Sequence, residues 1–225
     1  MKIDIKVPEG MQDITLEQYQ RFVLLQSDDE LFLSQKCVEI FCNVPLILVD
    51  KMSYNDVKKI SMRIFSYLQT KPQLIMKKSL GKRIFGFVPN LEQISLGEFT
   101  DIDSNITDWK NMHRVMAVLY RPIVNQVGEY YDIEEYDGTD KYAEQMKKMP
   151  LDVVMSALVF FYHLGIDLSM AMTRYLEVES KEISQQKQTL QESGDGMEAF
   201  TPLLKGALQN LKMLVDSPSI VRLHT

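Results

Sequence analysis

The sequence predicts a mainly α-helical α+β fold with short antiparallel strands and hairpins. Three observations lead there. Hydroxyl residues followed three positions later by Gln or Glu stand ahead of apolar runs at Thr15–Gln18, Ser27–Glu30 and Ser95–Glu98, the pattern of a helix-opening capping box. Behind each, apolar residues recur at spacings of three and four, which gives a helix one buried face. Between the helical stretches lie short apolar or alternating runs closed by Pro or Gly, as strands are.

Taken in order, Ile3-Asp4-Ile5-Lys6-Val7 alternates and is expected to form a strand over 3–7, ended by Pro8. Thr15 opens a helix reaching about Gln26. Ser27 opens the next, with Leu33, Cys37, Ile40 and Phe41 on its apolar face and Val44-Pro45 at its end. Leu46 to Val49 reads as a short apolar connection, and Ser53 caps a helix that buries Val57, Ile60, Ile64 and Leu68. Strands over 73–77 and 82–88 are expected to pair as a hairpin across Lys78-Ser79-Leu80-Gly81.

Pro89 ends the second of these strands, and Ser95 opens a short helix. A longer helix starts at Thr107 or Asp108, with Trp109, Met112, Val115, Met116 and Leu119 on one face. Arg121 falls where a cation suits a helix C-terminus, and Pro122 forbids continuation. Strand character returns over 124–135 around a turn at Gly128. A short helix over 139–148 leads to Pro150, placed at a helix start. Val153, Val154, Ala157, Leu158, Phe161 and Leu164 then form a wide apolar face, broadened by Phe160. It continues past Gly165 through Leu168, Met170, Ala171, Met172 and Tyr175, and this is the expected central core element.

Three regions follow from composition. Residues 1–178 form the core. Residues 179–196 are rich in Gln, Ser, Lys and Glu and end in Ser193-Gly194-Asp195-Gly196, as a polar linker or exposed helix extension does. Residues 197–225 hold an amphipathic helix and tail, with Leu203, Leu204, Ala207, Leu208, Leu211 and Leu214 in one stripe. That stripe either folds back onto the core or docks on a partner or a second copy, with Leu204, Leu208 and Leu211 as anchors. Segments 3–43 and 84–122 also share an order of strand, Pro, loop, Ile, hydroxyl cap, Leu and aromatic, which fits an internal duplication.

Net charge is −6 with a pI near 5.2, which weighs against a dedicated nucleic-acid binder and favours protein partners. The longest apolar run, Leu151 to Met172, is interrupted by Asp152, His163, Gly165 and Asp167, so no membrane span is expected. Met1 to Asp4 lacks the apolar segment of a signal peptide. Cys37 and Cys42 point to different faces of a helix and are expected to be buried free thiols in a reducing compartment.

No catalytic residue, cofactor or metal is expected. Trp109 and His113 are helical neighbours, best explained as a core-edge Trp beside a hydrogen-bonded His. His163 and Asp167 are four apart with no nucleophile nearby in sequence. Lys77, Lys78, Lys82 and Arg83 form a basic cluster, but Met76 and Arg83 stand where a phosphate-binding P-loop needs Gly and Ser or Thr. The acids Glu129, Asp132, Glu134, Glu135, Asp137 and Asp140 are a solvated or partner-facing group. A calcium loop opening at Asp132 fails at Tyr136 and Ala143.

D-I-T-L-E-Q-Y at 13–19, F-G-F-V-P-N-L-E-Q-I-S-L-G-E-F at 85–99 and W-K-N-M-H-R-V-M-A-V-L-Y-R-P at 109–122 resemble morphogenesis proteins of tailed bacteriophages. The resemblance covers residues 13 to 122, with a weaker echo in 150–164, and carries over no functional residue. It implies a non-enzymatic tail assembly chaperone acting in the host cytoplasm on other phage structural or assembly proteins. The alternative it implies is a ring-forming virion protein of the head-tail connector or tail. A small hydrolase or metal enzyme using His113 or His163 is the remaining reading. The 14 Met residues suit an adaptable binding surface.

Overall fold

The structure is a computed structural model and describes residues 5–25, 27–164, 166 and 170. Its helices are α1 (Leu16–Val23), α2 (Glu30–Phe41), α3 (Leu46–Val49), α4 (Tyr54–Leu68), α5 (Leu96–Asn105), α6 (Met112–Leu119), α7 (Asp140–Met146) and α8, running over 151–164. The strands are β1 (Lys77–Leu80), β2 (Arg83–Phe87), β3 (Tyr120–Val127) and β4 (Tyr130–Ile133). They form one antiparallel sheet in the order β1-β2-β3-β4, so the fold is α+β as expected.

Two of the expected capping boxes close reciprocally. Thr15 accepts from the Gln18 amide while the Gln18 side chain accepts from the Thr15 amide, and Ser95 and Glu98 do the same. The first turn of α1 has a further use for its orphan donors. The Leu16 and Glu17 amides donate to the Met149 and Lys147 carbonyls at 2.8 Å, joining the start of α1 to the end of α7. The Leu151 amide donates back to the Ile14 carbonyl at 2.8 Å.

The core centres on α6 and α8. Leu151 and every residue from Val153 to Val159 are buried, so this part of α8 is enclosed on all sides. One sheet face packs here: Phe85 meets the Tyr142 ring at 5.7 Å, and Phe87 meets Tyr120, Phe160 and Phe161 at 5.3, 5.6 and 6.2 Å. On the opposite face Gly86 pairs with Arg121. A Cβ on Gly86 would lie 2.4 Å from Tyr131 Cε2, so the ring fits only over a glycine.

Several expectations are corrected. The strand over 3–7 is absent from its described part, residues 5–7; Ile5 and Val7 sit half-buried against the core without a strand partner. Alternation reports one buried side, and a packed extended segment satisfies it as well as a paired strand. The first hairpin strand is Lys77–Leu80 and not 73–77. Gly81, at φ +64°, opens a two-residue loop and draws Lys78, Ser79 and Leu80 into the ladder. Asp29, not Ser27, caps α2, because its carboxylate accepts from both the Leu31 and Phe32 amides. α1 ends at Val23, short of Gln26, and Leu46 to Val49 forms a helical turn.

The helix expected from residue 107 or 108 begins as a 3-10 turn, Trp109–Asn111, and becomes α only over Met112–Leu119. The chain enters β3 at Tyr120, so Arg121 lies in the buried first part of a strand and not at an exposed helix end. Leu164 and Met170 are 43% and 48% exposed, outside the core face assigned to them, while Leu168, Ala171, Met172 and Tyr175 lie outside the described residues.

Candidate functional site

The strongest polar feature of the fold is built on α5 and β3. The capping box of α5 fixes the Glu98 carboxylate: Oε2 accepts from the Ser95 amide at 2.6 Å. Oε1 is left to accept from Arg121 Nη2, also at 2.6 Å. Both side chains are more than nine-tenths buried. Burial of each charge is costly alone, and the pair with its cap bond offsets that cost. Arg121 Nε is buried without a hydrogen-bond partner. The guanidinium stands 5.7 Å from the centre of the Tyr136 ring, whose hydroxyl donates to Asp101. Burial, then the Asp101 bond, pushes the Tyr136 phenol well above its usual range.

This pair lies in the wall of a cleft of about 590 Å³ between residues 88–98 and 132–136. Asp132, Glu134 and Glu135 give its rim an acidic cast. Glu134 already serves Lys141 and, at 2.6 Å, the Tyr142 hydroxyl, and Asp132 accepts from Asn125 at 3.2 Å. A second cleft, of about 490 Å³, lies between Lys6, Pro8 and the α1 start on one side and Phe41 to Asn43 on the other. Its Cys42 thiol is pushed up to about 11 by burial, and burial also raises Cys37 well above its ordinary value, so both are weak nucleophiles at neutral pH.

The other sequence candidates resolve differently. Trp109 is buried, with its ring edge-on to Tyr19 at 4.7 Å. Gln20 Nε2 bridges the Trp109 carbonyl at 2.6 Å, the Lys110 carbonyl at 3.1 Å and His113 Nδ1 at 3.2 Å. His113 is therefore the hydrogen-bonded neighbour expected. Its pKa is lowered, first by burial and then by the nearby Lys147. His163 is exposed beside Tyr162, and Asp167 lies outside the described residues. Three members of the basic cluster are spent within the chain. Lys77 sits over the Tyr131 ring at 5.0 Å, Lys78 stands 3.7 Å from Asp152, and Arg83 donates to the Tyr142 hydroxyl at 3.1 Å.

Among the described residues no cluster of metal-ligating side chains occurs, and no helix is long and apolar enough to cross a membrane. Leu204, Leu208 and Leu211 lie outside the described residues. Sequence reasoning missed the Glu98–Arg121 pair and the Gln20 bridge. The capping box did signal a fixed carboxylate at 98, but nothing in sequence tied it to a residue 23 positions on.

No family model, curated protein or solved structure matches this chain.

Proposed function

We propose that this protein works by protein–protein contact, as a non-enzymatic assembly factor. The observation that carries the reading is the β3–β4 arm. β2 pairs with β3 only from Tyr120 to Pro122, so Ile123 to Val127 has β4 as its sole strand neighbour among the described residues. Val124, Val127 and Tyr130 on this arm are 62%, 72% and 86% exposed, and Val127 pairs directly with Tyr130 beside Gly128 at φ +61°. A two-stranded ribbon is marginal in water, and exposed Val and Tyr at its tip gain from a covering partner. Edge strands open to addition offer the same opportunity.

The resemblance of residues 13–122 to morphogenesis proteins of tailed bacteriophages supports the narrower assignment, a tail assembly chaperone in the host cytoplasm. A second reading is a ring-forming connector or tail protein. It draws on β1 and β4, the outer strands of the sheet, which have no further strand beside them among the described residues. Mass spectrometry of purified virions separates the two: a chaperone is absent from mature particles, and a connector is present at fixed copy number. The wider proposal is tested with the pair Val127→Asp and Tyr130→Asp. The expected result is a folded protein that no longer self-associates or captures its co-expressed partners. A variant that assembles like the parent removes the arm from the interface.

A further inference from the structure

The cleft beside Glu98 and Arg121 adjoins an unpaired strand edge. Val127 and Tyr130 flank a two-residue turn and so form a hydrogen-bonded pair, and the Glu134 amide donates to the Pro122 carbonyl at 2.9 Å. Tyr130, Asp132 and Glu134 therefore turn their backbone groups toward β3, while Tyr131 and Ile133 turn theirs outward. No strand lies beside them among the described residues, and Ile133 lines the cleft. Asp132 and Glu135 line it too, both exposed and neither in a salt bridge among the described residues. On the far wall, Ser95 and Glu98 belong to the start of α5, where Leu96 and Phe99 are 81% and 56% exposed.

We infer that the cleft takes an extended basic segment of a partner protein, which pairs with β4 as a fifth strand. The inference names a partner class for the protein-contact reading above and rests on it. Three observations select this occupant. The first is the backbone: the outward amides and carbonyls of Tyr131 and Ile133 are what an added strand bonds to. The second is charge. Asp132 and Glu135, with Glu129 at the arm tip, attract Lys or Arg and repel a polyanion. A second copy laying its own β4 here would set acid against acid, which is unfavourable across strands. The β1 strand of a second copy is no better a source of cations, since Lys77 and Lys78 are engaged at Tyr131 and Asp152. The third is Arg121, in the same cleft wall. Glu98 meets its charge at 2.6 Å, yet its buried Nε has no hydrogen-bond partner. A neutral acceptor is enough for that donor, and a peptide carbonyl is one. Apolar side chains alternating with the basic ones gain cover at Leu96 and Phe99.

The test uses the full-length protein and synthetic peptides of about eight residues, within the usual range of strand lengths. One peptide alternates Lys and Val, which puts every Lys on one side of the strand, and a second has Glu in place of Lys. The Lys–Val peptide is expected to bind and, at saturation, to slow exchange of the Tyr131 and Ile133 amides roughly tenfold. The Glu–Val peptide is expected not to bind. Asp132→Lys with Glu135→Lys, both at exposed positions, is expected to reverse that preference, a result that a misfolded variant could not give. Methylating alternate nitrogens of the Lys–Val peptide removes donors that strand pairing needs, and is expected to weaken binding to the parent by roughly tenfold or more. Failure of the Lys–Val peptide to bind, equal binding of its methylated form, or an unreversed preference in the folded variant each overturns the inference. The contact reading fails separately. If the peptide does not bind but Val127→Asp with Tyr130→Asp abolishes partner capture, the arm remains an interface and only this occupant is removed.

Discussion

Tyr131 lies across Gly86. The ring crosses the sheet from β4 to β2, and its hydroxyl donates to the Phe87 carbonyl at 2.7 Å. The same hydroxyl reaches the Met76 carbonyl at 3.3 Å, so one side chain ties β4 to β2 and to the residue preceding β1. Gly86→Ala places a methyl 2.4 Å from Tyr131 Cε2, and the ring must leave. The expected cost is ~1–3 kcal/mol, as for other overpacked sites. Adding Tyr131→Ala to Gly86→Ala is expected to cost less than the two single changes summed, because the clash is gone. Additive costs in urea melts would show that the ring does not depend on the glycine.

Glu98→Gln keeps an acceptor for the Ser95 amide but leaves the Arg121 charge buried without its counter-ion. Breaking a buried pair from one side costs ~3–5 kcal/mol, and the denaturation midpoint is expected to fall accordingly. The double change Glu98→Gln with Arg121→Met removes both charges and is expected to recover part of that loss. A single variant as stable as the parent would show that water reaches the pair.

The helix caps give a paired comparison. Asp29→Ala removes the acceptor for two amides of α2 and is expected to cost ~1 kcal/mol. Ser27→Ala removes one exposed 3.2 Å bond and is expected to change stability by less than ~0.5 kcal/mol. Thermal melts that reverse this order would return the cap to Ser27.

His113 makes stability depend on pH. Its folded pKa lies below the ordinary 6.5, mainly through burial, with Lys147 and Arg114 adding to the shift and Glu144 opposing it. As pH falls below about 6.5 the unfolded chain takes up a proton that the folded chain refuses, so this contribution to stability declines. The decline stops once pH is below the folded value, where both states are protonated. His113→Gln is expected to flatten the stability profile on the acid side of neutrality. An unchanged profile would assign the dependence to other groups.

Much of this fold was legible because its signals are local. The boxes at Thr15 and Ser95 need only the residue three positions on, and both formed. The apolar face of α8 reports its own burial, and Gly128 marks its own turn. Trp109 and His113 were legible as a structural pair, although the Gln20 that ties them lies about 90 positions away.

The sequence by itself determined where α1, α4 and α5 start, that the strands are short and antiparallel, and the acidic charge of the whole. Each of these rests on interactions within a few residues. Only the tertiary structure decided that Arg121 belongs to a strand facing Glu98, that α5 turns Leu96 and Phe99 outward, and that β3 outruns β2 to leave an arm. It also decided that Ile5 and Val7 pack without pairing, and that three members of the basic cluster are spent within the chain. Those outcomes depend on partners tens of residues apart. A helix start or an apolar run carries no record of which distant segment will meet it, and close packing selects one arrangement from many with the same local pattern.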